Sequence, residues 1–263
     1  MYAESPLVDP RALLTRRLVA VAATAYSLLV SAFLIHQEPR YAVMLADSLG
    51  TKGAGAAATR VPLAAPKLVH VAPCAYAAHA GTWQPALEML SRLRPLLLPH
   101  TDKGSPPDWV ALSAQMSEIG REVYAEFQKK FQLESFDVRV ALLLTGPLRH
   151  SEDVASGCSS TLAVWEAAGA FEVQRVAGAL HFGGSPALSG LATTILRNEF
   201  VRDTMKQSPL ACAQALLAAH AALSKLSTAI SAEANIVVCG EGEEHAVIQG
   251  TLLSLPNSAL LRG

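Results

Sequence analysis

The chain has 263 residues with a formal net charge of −1, and 51% of them are hydrophobic against 16% charged. That length supports one large domain or two small ones with a substantial core. The near-neutral charge, with no basic stripe carrying interleaved aromatics, argues against a nucleic-acid partner. The four cysteines, Cys74, Cys158, Cys212 and Cys239, form no C-x-x-C pair, and no His/Cys cluster has zinc spacing. They read as buried or half-buried thiols of a reducing compartment, and neither a metal nor a cofactor is expected.

The stretch from Leu18 to Ile35 is apolar enough to invite a transmembrane reading, and Arg16 and Arg17 precede it as a signal-peptide n-region would. Its Ala and Ser content weakens insertion, and it divides more naturally into the end of a helix and a strand. Asp9 as N-cap and Pro10 at the first helical position begin that helix, which runs to about Ala23. Strand residues follow from Ala25 to Ile35. A polar turn spans 36–40, and a second apolar run from Tyr41 to Ala46 completes a hairpin. Residues 50–59 read as a small-residue loop. Short strands are expected at 67–71 and 74–78.

The hydrophobic period then changes from strand to helix. Thr82 is placed to cap a helix ending before Pro99, and Asp108 to cap a second one running to about 129. Strands resume at 138–144, 161–165 and 171–177, the last two forming a hairpin around the turn 166–169. Pro186 opens a helix over 187–204, and Pro209 opens another that reaches about Ser227. Strands at 235–239 and 245–249 end the pattern. Helices that come in pairs between antiparallel hairpins argue against a doubly wound parallel sheet, which would alternate strand and helix. The fold class expected is α+β: two stacked antiparallel sheets, each covered by a helix pair, in a four-layer αββα sandwich. Residues 1–24 form an N-terminal extension or helix, and residues 25–263 form a single domain.

The order of these elements, with the wording of several segments, resembles the proteasome subunit family of N-terminal-nucleophile hydrolases. SAFLIHQEPRYAVMLADSLGT is similar to that family's first hairpin, with Ala46-Asp47-Ser48 at its end. PKLVHVAP is similar to the next strand, and Lys67 matches its leading lysine. AYAAHAGTWQPALEML, TLAVWEAAGAFEVQRVAGALHFGGSPAL and ANIVVCGEGEEHAVIQ resemble later strand and helix entries. The likeness covers about residues 10–250 and rests on order and spacing.

The resemblance implies a peptidase chemistry in which a terminal hydroxyl attacks a peptide carbonyl while the freed α-amine helps take the proton. A buried lysine held by an aspartate depresses the nucleophile's pKa. It implies Asp47 and Lys67 in those supporting roles and Ser31 at the nucleophile position. The residue before Ser31 is Val30, where the family's autolytic junction uses glycine. Thr24 follows Ala23 and demands a longer hairpin. Gly183 stands where a serine is expected, and KLSTAISAEAN lacks the aspartate expected before the penultimate strand. Ser31, Asp47 and Lys67 therefore read as vestigial.

The function implied is a structural, non-catalytic subunit of a proteasome-like core particle for protein degradation. Its partners would be other such subunits in a ring, in the cytoplasm and nucleus. The A-D-S wording leans to the β type of subunit; the leading helix and K-L-V-H-V lean to the α type. An active threonine- or serine-type peptidase exposed by processing, and an unrelated α/β scaffold or membrane-tethered factor, stand as alternatives. The helix segment ACAQALLAAHAAL is more apolar than a monomer's surface tolerates, which points to an interface.

Overall fold

The structure, a computed structural model, describes residues 32–52, 59–62, 67–73, 75–100, 108–145, 160–176, 178–183, 186–226, 230–231, 233–240 and 246–251. The expected helix over 10–23, the other residues before Ala32 and residues 241–245 lie outside them. The strands are β1 (Ala32–Glu38), β2 (Tyr41–Asp47), β3 (Leu49–Lys52), β4 (Thr59–Pro62), β5 (Leu68–Ala72), β6 (Ala75–Gly81), β7 (Val138–Thr145), β8 (Ser160–Glu166), β9 (Gln174–Val176), β10 (Gly178–Gly183), β11 (Glu233–Gly240) and β12 (Ala246–Thr251). The helices are α1 (Trp83–Leu97), α2 (Trp109–Phe131), α3 (Pro186–Arg197), α4 (Glu199–Met205) and α5 (Pro209–Leu226).

One five-stranded sheet has the order β10-β1-β2-β11-β12, and another has the order β5-β6-β7-β8-β9. Every pairing in both is antiparallel. The expectation of a mixed fold with antiparallel rather than parallel sheets therefore holds.

Side chains on a strand point alternately to its two faces, and here both faces find apolar partners. Along β1 and β2, Phe33, Ile35, Ala42, Met44 and Ala46 join a cluster that also takes Tyr76, Ala78, Ala80, Ala141, Leu143, Leu162 and Val164 from the other sheet. The intervening residues Leu34, Tyr41, Val43 and Leu45 pack with Leu196, Leu216, Leu217 and Leu223 of the C-terminal helices. In β7, Val138, Val140, Leu142 and Leu144 turn the opposite way, onto Met89, Leu90 and Leu93 of α1 and Leu112, Met116 and Val123 of α2. This double burial explains why YAVMLA and VALLL read as unbroken apolar runs rather than alternating ones.

Several local readings need correction. Thr82 occupies the N-cap of α1, but its hydroxyl makes no cap bond; its backbone N–H donates to the Asp137 carbonyl at 2.7 Å instead. Asp108 does cap α2, its carboxylate accepting from the N–H groups of Val110 and Ala111 at 2.9 and 3.3 Å. The region read as a loop over 50–59 contains the start of a small hairpin, with β3 paired to β4.

The single helix expected over 187–204 is two. Asn198 breaks it, because an Asn side chain competes for backbone donors: its Oδ1 accepts from the N–H of Val201 at 3.4 Å and reseeds α4. The strand expected over 171–177 is shorter. Ala170 and Phe171 have φ of 50° and 61° and close the turn, and the ladder with β8 begins only at Gln174. The chain then changes sheets, so that β10 pairs with β1.

The apolar face of α5 is not an exposed one. Cys212, Ala213, Leu216, Leu217, Ala219 and Leu223 are buried against β1, β2 and β11. The segment's composition thus answers to the core of this chain, and the inference of an interface from it falls.

Gly81 has a φ of +80°, and a Cβ there would meet the Asp137 carbonyl oxygen at 2.4 Å, a backbone atom that cannot step aside. Gly81→Ala is expected to lower stability by about 2 kcal/mol or more, from strain and overpacking together. Gly169→Ala, whose added methyl meets nothing nearer than 3.9 Å, serves as a near-neutral control. Urea midpoints of the two variants check this.

Candidate functional site

Asp47 is the last residue of β2, and its register partner on β11 is Ala234. Alternation along β2 puts it on the face of Tyr41, Val43 and Leu45, the face that α5 covers. Lys67 stands immediately before β5 in the other sheet. Its backbone is fixed by the N–H of His79, which donates to the Lys67 carbonyl at 3.1 Å. The two side chains meet: Lys67 Nζ donates to Asp47 Oδ1 at 2.5 Å. Their side chains are 1% and 0% exposed, so the pair is held out of water. The sequence reading brought these two residues together correctly; Ser31 and Thr24 lie outside the described residues.

Burial lowers the Lys67 pKa from the ordinary lysine range, and the Asp47 charge and hydrogen bond pull it back up. Removing an ammonium from water costs several kcal/mol, which only a close partner offsets. The same pairing ties the two sheets together at this end.

A third ionisable group belongs to the site, and the sequence reading missed it. His220 lies on α5 in line with Leu216 and Leu223 and is fully buried. Burial depresses its pKa; the Asp47 carboxylate and the backbone at Ser231 and Glu233 oppose that shift, and the Lys67 ammonium adds to it. A lone His on the buried stripe of an otherwise Ala/Leu helix was the available signal.

The same sheet edge gathers other residues singled out in the sequence. Ala32, the first described residue of β1, has Gly183, the last of β10, as its register partner. Gly183 therefore sits one strand beyond β1 from Asp47. No hydroxyl side chain with a bond to Lys67 is seen among the described residues. Chemically the arrangement can hold a charge pair in low dielectric and shift the protonation of a neighbouring group; among the described residues no nucleophile–base unit is assembled around it.

Elsewhere, α1 and α2 enclose an open groove of about 470 Å³ walled by Trp83, Leu87, Phe127 and Phe131, with Lys130 at its rim. Arg92 of α1 pairs with Glu88 of the same helix at 2.9 Å and bridges to Glu126 of α2 at 2.6 Å; such exposed pairs contribute little. Among the described residues no group of three or more His, Cys, Asp or Glu is arranged to hold a metal ion. Nor is any helix among them long and apolar enough to cross a membrane.

No protein-family model matches the chain, and a search of curated proteins also finds no match.

Breaking a buried pair costs more than replacing it, because the surviving charge is stranded. Lys67→Met and Asp47→Leu are each expected to destabilise the fold by about 3–5 kcal/mol. The double variant Asp47→Leu/Lys67→Met should be markedly more stable than either. A double-mutant cycle by urea denaturation checks this; strictly additive losses would show that the pair is not coupled.

Proposed function

We propose that the chain is a structural, non-catalytic subunit of a proteasome-like ring, built as an αββα sandwich of the N-terminal-nucleophile hydrolase type. The observation that carries this reading is the buried Lys67–Asp47 pair, set at the sheet edge where β1 begins and β10 ends. It is the supporting half of the chemistry the resemblance implies. Two apolar sheets, with a helix pair packed on one and the C-terminal helices on the other, are compatible with the same fold.

The loss of catalysis is argued from the chain's own residues. A terminal nucleophile needs its α-amine freed, and Val30 precedes Ser31 where the acyl shift favours glycine. Gly183 offers no hydroxyl where a serine is expected. Without a terminal amine, an internal serine lacks the proton acceptor that the mechanism implied by the resemblance uses. Loss of one member of such a unit typically costs several orders of magnitude in rate. On this reading the pair persists because removing either half would strand the other in the core. The partners are other subunits of the ring, in the cytoplasm and nucleus.

The test combines intact mass with particle size. The purified chain is expected to keep residues 1–30 and to run in light scattering as part of a multi-subunit particle. Loss of residues 1–30 would favour an active peptidase with Ser31 exposed. A stable, monodisperse monomer under cell-like conditions would favour an unrelated scaffold.

A further inference from the structure

The core face of α1, with Met89, Leu90 and Leu93, packs on the second sheet. Two other large apolar residues of the same helix do not share that role. Trp83 and Leu87 are half-buried and belong to none of the three core clusters. They lie one turn apart, so both project on one side of the helix. On α2, Phe127 and Phe131 are also one turn apart, with ring centroids 5.6 Å from one another. These two rows wall the open groove of about 470 Å³ between the helices. From Trp83 to Ser91 the groove follows α1 for about 12 Å, a little over two helical turns.

The charged residues that line the groove are Glu88 and Lys130. The acid is already bonded: Glu88 accepts from Arg92 at 2.9 Å. The base is not. Lys130 is exposed and has no acidic partner among the described residues; its ammonium lies 5.4 Å from the centroid of the Phe131 ring. The first turn of α1, which reaches the groove at Trp83 and Gln84, carries no acidic side chain to offset the positive end of the helix. An occupant that complements these walls is therefore apolar along its length and negative beside Lys130.

We propose that this groove docks an amphipathic helix of a partner protein, with two apolar anchors one turn apart and an acidic side chain beside them. The anchors enter between the rows of α1 and α2, as the apolar face of a helix enters a hydrophobic groove, and the acid pairs with Lys130. Two helices already side by side present a furrow into which the side chains of a third can pack. A small ligand is held by burying most of its surface; an open furrow two turns long suits an elongated partner instead. The inference does not rest on the ring-subunit reading, and its test reads peptide binding rather than chain mass or particle size.

The experiment is fluorescence anisotropy of a labelled, side-chain-stapled three-turn helix titrated with the full chain. The probe carries Leu and Phe one turn apart with Glu on either side of them; a control peptide carries Lys in place of each Glu. The acidic probe is expected to bind more tightly. Lys130→Glu, a change at an exposed position, is expected to weaken the acidic probe by about fivefold or more and to favour the basic control. Leu87→Ala, outside the core clusters, is expected to weaken both peptides by up to about tenfold, with circular dichroism confirming that each variant is folded. Sedimentation of the chain alone completes the test, since self-association abolished by Lys130→Glu would assign the groove to a second copy and overturn the proposal. No binding of the acidic probe at about millimolar concentration, or equal binding of both peptides to the wild type and to Lys130→Glu, would overturn it as well.

Discussion

An ammonium and a carboxylate placed out of water, on the ends of strands that belong to different sheets, constrain nearly everything near them. Lys67 can reach Asp47 only if β5 starts where β2 ends. That placement depends on the apolar layer between the sheets, where Phe33, Met44 and Val237 meet Tyr76, Leu143 and Leu162. The layer sets the spacing, and the pair then penalises any slip in register, because a slip would leave two buried charges apart. Such a pair is weak as a source of net stability, yet strongly destabilising when half of it is removed. Its effect here is to specify one alignment of the sheets.

The buried face of α5 carries His220 among its leucines and alanines, and that face packs on β1, β2 and β11. The C-terminal helices are held by a continuous apolar stripe, and Tyr41 adds a hydrogen bond to the Met205 carbonyl at the end of α4. Cys212 and Cys239 lie within these layers. Burial pushes the Cys239 thiol up to about 12 and raises that of Cys212 as well, which keeps both as unreactive packing groups near neutral pH. Among the described residues the buried charges are Asp47 and Lys67, set at strand ends, and the interior also buries neutral polar groups such as Gln37, Thr161 and Asn235.

Much of this was legible in the residues. The runs YAVMLA and VALLL, the Asp108 cap and the paired-helix order point to antiparallel sheets covered by helices, and Asp47 and Lys67 could be matched from their segments. Other features were hidden for physical reasons. Asn198 splits a helix through a side-chain bond that periodicity does not register. The passage from β9 to β10 is a change of sheet within a short extended run, and composition carries no mark of it. The Ala- and Leu-rich α5 looked too apolar for a surface because its core face and its length were read together; in the structure that face is covered by the chain's own strands. His220 escaped notice because a single histidine in such a helix has no spacing motif to announce it.

What separates a structural relic from a working enzyme is whether any hydroxyl near Lys67 carries a free amine. A buried lysine with a lowered pKa would assist such a nucleophile if one existed, so the question is settled by chemistry at the hydroxyl. The most direct measurement is treatment of the purified full chain with an epoxyketone probe, which forms its adduct with a terminal hydroxyl and the adjacent amine, followed by peptide mass spectrometry. A non-catalytic subunit takes up no label. Covalent labelling at Ser31 or Thr24, abolished by Lys67→Ala in protein that remains folded, would contradict the account.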